Sequence, residues 1–210
     1  MAATTQGVSA QPTRFMADAG LTLHHFQQQA KTEIGGVRGE RLVEETALGL
    51  QLAGTYAVLD YLHVGLFTRL DAGKREAGAF SGFDEDGAAV TMGELGGTYA
   101  EWWLGPLARA QYRSVFLEVG WGALGLRSDG GRDDLPDEGG STAGAFATTP
   151  AVAWTVALGG GVPLSDDLEL LLRLQYRVRY YTTRGGRSLI GDAAQGSQDL
   201  TPFAGVGMRF

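Results

Sequence analysis

Any chemistry that needs a general base or an imidazole-activated nucleophile would have to use His24, His25 or His63, because the 210-residue chain holds three histidines and no cysteine. The missing cysteine removes thiolate nucleophiles, thiolate metal sites and disulfides together, and it fits any compartment. Hydrolytic chemistry asks for a His close to a Ser or a carboxylate. His24-His25 has neither at strand-neighbour spacing in its own segment, which leaves a partner from another strand open, and His63 carries no His-x-Ser motif. Acids gather in two glycine-containing stretches, Glu76, Asp84, Glu85 and Asp86 in one and Asp129, Asp133, Asp134, Asp137 and Glu138 in the other. The run Asp129-Gly130-Gly131-Arg132-Asp133-Asp134 lacks the ligand spacing of an EF-hand. Both stretches read as solvated loops, with partner docking ahead of calcium binding. No catalytic, cofactor or metal site is read.

The arginines are more informative. Between Leu168 and Thr183, Arg173, Arg177 and Arg179 share one parity with Glu169 and Gln175, and Leu168, Leu170, Leu172, Leu174, Tyr176, Val178 and Tyr180 hold the other. A period of two sustained this long is a β-strand with one charged and one apolar face. The pattern recurs. A first strand alternates from Phe15 to about Glu33, a second from near Arg41 sets Leu42, Leu48, Leu50, Leu52 and Tyr56 on one face, and a third sets Leu62, Val64, Leu66 and Leu70 against His63, Gly65, Phe67, Arg69 and Asp71. The fourth, about Val90 to Leu104, has two competing apolar faces, Leu95/Tyr99/Trp103 and Met92/Trp102/Leu104, which a bulge would reconcile. Gly105-Pro106 reads as a turn. Val115, Leu117, Val119, Trp121 and Ala123 mark the apolar face of a fifth strand, Val152, Trp154, Val156 and Leu158 that of a sixth, the arginine-bearing stretch is the seventh, and Leu200 to Phe210 is the eighth.

Thirty-three glycines with no Gly-X-Y period exclude collagen, and many fall inside the alternating segments, where close backbone approach and tight bending favour them. A net charge of −7 argues against nucleic acid as a partner. No apolar run reaches the length of a transmembrane helix. Met1 to Arg14 lacks a basic n-region and an apolar h-region, so an exported form would be mature with an added start Met. Residues 1–13 read as a flexible tail and 14–210 as one all-β domain. Eight strands with alternately short and long connections predict an antiparallel up-and-down transmembrane β-barrel. A soluble barrel would carry Lys, Glu, Ser and Thr on its polar face; here that face is Gly, Ala and Thr with isolated charges, which suits a cramped lumen.

The last eight residues, Phe203-Ala204-Gly205-Val206-Gly207-Met208-Arg209-Phe210, end in an aromatic with apolar residues at every second position before it. This resembles the C-terminal recognition signal of bacterial outer-membrane β-barrels. Residues 14–210 are similar in pattern to the small barrels of the OmpA-transmembrane-domain and OmpX type, and the turn Gly161-Val162-Pro163-Leu164-Ser165-Asp166-Asp167-Leu168 looks like theirs. The resemblance implies residence in the bacterial outer membrane, a periplasmic tail at residues 1–13 and long loops outside the cell. It also implies contact with bilayer and lipopolysaccharide, and an assembly signal at Val206, Met208 and Phe210 read by the barrel-assembly machinery. Phe15, Tyr56, Trp103, Tyr176, Tyr180 and Phe210 are then the membrane-girdle candidates.

An eight-stranded barrel leaves room inside only for side chains. The expected lumenal charges are Glu45, Arg69, Asp71, Glu118, Arg173, Arg177, Arg179 and Arg209, joined by Asp18, Glu94 and Glu169. They must pair, with Glu118 near Arg173 at mid-depth and Glu45 near Arg69 or Arg177 further out. The reading is a monomeric, non-enzymatic barrel with a structural or interaction role, its lumen plugged by ion pairs and its acidic loops a candidate protein-docking surface. A narrow pore for small solutes or ions is the alternative, and a lipid-modifying outer-membrane enzyme comes third.

Overall fold

The computed structural model describes residues 14–34, 37–130, 149–181 and 196–210. The tail at 1–13, Gly35-Gly36, most of the second acidic loop with Asp133, Asp134, Asp137 and Glu138, and residues 182–195 lie outside the described residues. The strands are β1 (Phe15–Ile34), β2 (Val37–Leu59), β3 (Leu62–Ala77), β4 (Phe80–Phe83), β5 (Ala89–Met92), β6 (Leu95–Tyr112), β7 (Val115–Gly130), β8 (Thr149–Pro163), β9 (Leu168–Tyr181) and β10 (Gly196–Arg209). Eight of them, all but β4 and β5, run in the order β1-β2-β3-β6-β7-β8-β9-β10, and β10 pairs back onto β1, so the sheet closes. All pairings are antiparallel.

Alternation decides which side of the wall each residue occupies. Leu21, Leu23, Leu50, Leu66, Leu117, Leu158, Leu172 and Leu200 stand exposed on the outside, whereas Asp18, His24, Arg69, Glu118, Arg173 and Asp199 are buried inside. An exposed apolar exterior around a charged interior is the reverse of a water-soluble protein, and it is stable only where hydrocarbon covers the outside. Crossing hydrocarbon takes about ten residues of tilted strand. β1 and β2, at 20 and 23 residues, run well beyond that on the side away from the tight turns.

Three differences from the sequence reading have physical causes. The first acidic stretch is not a plain loop: β3 continues to Ala77, and β4 and β5 form a hairpin that adds to the far end of β2 through Arg38↔Phe83, Gly39↔Gly82 and Glu40↔Ser81. Asp84 folds its turn, its Oδ1 accepting from the backbone N–H of Asp86 (3.1 Å) and Ala88 (2.7 Å). Second, Gly105-Pro106 does not turn the chain. β6 runs on to Tyr112, and the reversal falls at Arg113-Ser114, with Arg113 at φ 55°. Third, the bulge lies in β7 and not in the fourth expected strand. Both of its ladders shift register around Ala123-Leu124, where β7 holds one residue more than β6 on one side and β8 on the other. The outward parity changes there from odd, ending at Trp121, to even, so Leu124 and Leu126 face outward.

The left-handed Arg113 supplies a simple test of the turn. A non-glycine residue there is strained by about 1 kcal/mol. Arg113→Gly is therefore expected to leave the urea midpoint of the folded barrel unchanged or raised, whereas Arg113→Val is expected to lower it.

Candidate functional site

Every candidate site residue on the polar parity of β1, β2, β3, β6, β7, β9 and β10 points into one lumen, where the charges form layers. Nearest the tight turns, Arg209 Nη2 lies 2.7 Å from Glu169 Oε2. Beside them Met16, Asp60, His63, Gln111 and Arg113 line, with Arg209, a polar vestibule of about 250 Å³. One layer deeper, Glu118 on β7 is shared by two arginines. Arg109 reaches it with Nη2 at 2.8 Å and also pairs with Asp18, while Arg173 Nη1 sits 2.8 Å from Oε1 and 2.9 Å from Oε2. The guanidinium of Arg109 packs 4.6 Å over Phe116, and that of Arg173 packs 3.7 Å over Phe203.

The larger group occupies the half away from the tight turns. Arg69 Nε donates to both oxygens of Asp71 at 2.9 Å, and its Nη1 donates to Gln175 Oε1 at 3.1 Å. Arg177 bridges Asp71 (2.8 Å) to Asp199 (3.2 Å). Arg179 reaches Glu101 (2.9 Å), Asp199 (3.3 Å) and Glu45 (3.4 Å). His24 is fully buried among them, Nδ1 at 3.4 Å from Asp199 Oδ1 and Nε2 at 3.2 Å from Arg179 Nη2. Arg75 closes the outer edge, 3.5 Å from Glu45. Trp103, Phe67, Leu107, Ala53 and Ala153 fill the space between layers as one apolar cluster.

Several expected placements are corrected by this geometry. Glu45 meets neither Arg69 nor Arg177 but Arg75 on the neighbouring β3 and Arg179 on β9, which only β1 and β10 separate from β2 across the closing seam. Glu94 is exposed, outside the lumen, in the short connection between β5 and β6. Trp103 is not an outward girdle residue: at 1% exposure it shares the inward parity of Glu101, Leu107 and Arg109, and its indole N–H donates to Glu101. Its neighbour Trp102 takes the outer side and donates to Thr68 Oγ1 at 2.9 Å.

Five inward groups that form the charge layers were not read from the sequence as lumenal charges: His24, Arg75, Glu101, Arg109 and Asp199. Parity with Asp18 would have marked His24. Once β6 is allowed through Gly105-Pro106, a single parity carries Glu101 and Arg109.

Of the other aromatic candidates, Phe15 and Phe210 lie together at the tight-turn rim with ring centroids 5.8 Å apart, and Tyr56 is the register partner of Phe15. Tyr176 stands outward near the opposite rim, its hydroxyl donating to Gln198 Oε1 at 2.6 Å. The side chain of Tyr180 lies outside the described residues. Val206, Met208 and Phe210 are all exposed on the outer face of β10. His25 also faces outward, beside Thr46 (3.2 Å) and Glu44 (3.9 Å), so the adjacent histidines occupy opposite sides of the wall.

Among known proteins, no protein-family model and no curated sequence matches the chain. Solved structures do. Neisserial surface protein A (NspA) superposes with a TM-score of 0.50 at 13% identity, over 93% of this chain and 97% of that one. The outer-membrane protein OprG from Pseudomonas aeruginosa gives 0.45 at 12% identity, over 94% and 96%. Ail from Yersinia pestis gives 0.33 at 15% identity, over 92% and 99%. With its closed eight-strand ring, apolar exterior and charged interior, the chain has the fold of the small bacterial outer-membrane β-barrels, and its outer face is built for contact with a lipid bilayer.

Proposed function

We propose that the protein is a monomeric structural or interaction barrel whose lumen is sealed by ion pairs and whose partner-facing surface is the end carrying the long connections. The observation that carries this is charge balance. Among the described residues, Asp18, Glu45, Asp71, Glu101, Glu118, Glu169 and Asp199 face Arg69, Arg75, Arg109, Arg173, Arg177, Arg179 and Arg209 inside the ring, seven acids to seven arginines. A conducting path needs water and unpaired or mobile charge along its length. Here Trp103, Arg69, Arg109, Arg177, Arg179 and Leu171 are packed to less than 2% exposure across the bore.

In this reading the tight turns and termini face the periplasm, and the acidic connections, including the β4–β5 hairpin, face outward where a protein partner docks. The two aromatic rims, Phe15, Tyr56 and Phe210 at one level and Tyr176 at the other, sit at the bilayer interfaces. Lipopolysaccharide surrounds the outer half. Val206, Met208 and Phe210 present the alternate apolar side chains that the assembly machinery reads. The three histidines take structural roles.

Single-channel recording in planar bilayers tests the seal. Brief, small current fluctuations or a silent membrane are the expected result. Large, long-lived openings of the unmodified protein would replace the plug with the pore reading.

A further inference from the structure

The ring closes on its shortest ladder. β1 and β10 pair only from Met16↔Arg209 to Thr22↔Phe203, although β1 stays paired with β2 as far as Ile34↔Val37 and β10 with β9 as far as Gly196↔Tyr180.

The reason can be worked out from parity. Phe210 N–H donates to Phe15 O at 2.9 Å, across the seam, whereas Arg209 N–H donates to Asp167 O at 2.9 Å and Ala57 N–H to Arg14 O at 2.7 Å, on the opposite sides of β10 and β1. Successive residues of a strand direct their amide and carbonyl to opposite neighbours. Even positions of β10 and odd positions of β1 therefore face the seam. Ala17↔Met208, Ala19↔Val206 and Leu21↔Ala204 are such facing pairs. The next would be Leu23 with Pro202, and proline has no N–H to give the carbonyl of Leu23. Among the described residues the ladder does not resume at His25 with Leu200 or at Gln27 with Gln198.

This break starts inside the apolar exterior, because Leu21, Leu23 and Leu200 around it are all more than half exposed. Hydrocarbon offers no partners to bare backbone groups, so a membrane barrel normally pairs them all. What spans the seam at this height is a side-chain contact, the 3.4 Å approach of His24 on β1 to Asp199 on β10. Arg179 on β9 and Glu45 on β2 stand behind it, with Nε2 of His24 at 3.2 Å from the first and 3.8 Å from the second. Thr201, also buried, donates to Asp199 at 2.6 Å.

We propose that the β1–β10 seam above Pro202 is a lateral gate, a stretch of wall closed by the His24–Asp199 contact in place of a ladder. It parts toward the bilayer while the other seven strand pairings stay intact, and it gives the outer leaflet access to the upper lumen. This goes beyond the sealed-bore reading, since the lower layer of Glu118, Arg109 and Arg173 lies beneath the seam and keeps the bore closed when the upper contacts of Asp199 part.

A chain without cysteine makes the test direct. Thr201→Cys places a thiol behind the seam, and Thr155→Cys places one behind the β7–β8–β9 wall, where it is laddered on both sides to Gly120 and Arg177. Both variants are reconstituted into phosphatidylcholine vesicles carrying a long-chain alkyl maleimide confined to the bilayer. The Thr201 variant is expected to label about tenfold faster, as a local opening of low free energy would allow. Adding Pro202→Val, which restores the missing donor on an outward position, is expected to bring its rate down to that of the Thr155 variant, and adding His24→Ala to raise it. Should His24→Ala fail to show the folded band on an unboiled gel, the Pro202→Val comparison decides alone. Equal labelling of the two thiols, indifference to Pro202→Val, or equally fast labelling of the Thr201 variant by a charged maleimide in the water phase would each overturn the gate.

Discussion

Glu118→Ala is expected to destabilise the folded barrel by about 3–5 kcal/mol, the loss typical when one member of a buried ion pair is deleted and its partner stays charged. Glu118 is 2% exposed and takes bonds from Arg109 and Arg173 together. Arg109 would keep Asp18. Arg173 would keep no carboxylate within 4 Å among the described residues, only the face of Phe203 and a lumen too narrow to rehydrate it. The damage should therefore be carried by Arg173, and the double variant Glu118→Ala/Arg173→Met should recover much of the loss by removing the stranded charge. Glu85→Ala, on the exposed β4–β5 turn, serves as the reference, with a shift within about 0.5 kcal/mol. The measurement is the urea midpoint of the compact band on an unboiled denaturing gel. A midpoint for Glu118→Ala equal to that of Glu85→Ala would remove the ion pair from any account of stability.

That pair was legible in the sequence because its two strands are regular. β9 alternates without interruption over fourteen residues, and β7 alternates cleanly from Val115 to Trp121, so parity alone places Arg173 and Glu118 inside. Depth followed from counting residues from the short turns. Parity says which side of the wall a group is on, but which group it meets depends on the stagger of strands around the ring. Stagger accumulates across several ladders, and this is why Glu45 was assigned the wrong arginines.

Asp199 falls at the boundary of the eighth expected strand, one residue before Leu200, where the glycine- and glutamine-rich approach gives no alternation to follow. Trp102-Trp103 blurred the parity of β6, since either indole fits an interface and only the acid and arginine beside Trp103 break the tie. Parity asks for a bulge in the fourth expected strand, and the structure carries it in the neighbouring β7. Its signature, Gly122-Ala123-Leu124-Gly125, reads in a single sequence as ordinary alternation of small and large residues.

The same neighbourhood holds the residue whose replacement should do most harm to assembly. Gly105 lies on β6 opposite the bulged segment of β7, and a Cβ added there would stand 1.7 Å from the carbonyl oxygen of Trp121 and 3.0 Å from the amide nitrogen of Ala123. Both obstacles are backbone, fixed by the ladders β7 makes on either side, so no rotamer change relieves them. The glycine that looks like half of a Gly-Pro turn is needed for this close approach of two strands. Gly105→Ala should thus cost at least the 1–3 kcal/mol typical of overpacking, and more if β7 must surrender its bulge. Surrendering it would carry Leu124 and Leu126 into the lumen and bring Gly125 to the lipid side, since one residue less reverses every parity beyond it. The expected result is a sharp fall in the fraction of chain that refolds into detergent micelles as the compact band. Gly93→Ala, whose added Cβ meets nothing within 4 Å, should refold like the parent. Refolding of Gly105→Ala to the same extent as Gly93→Ala would mean that β6 and β7 can separate to admit a Cβ and that the bulge is not fixed.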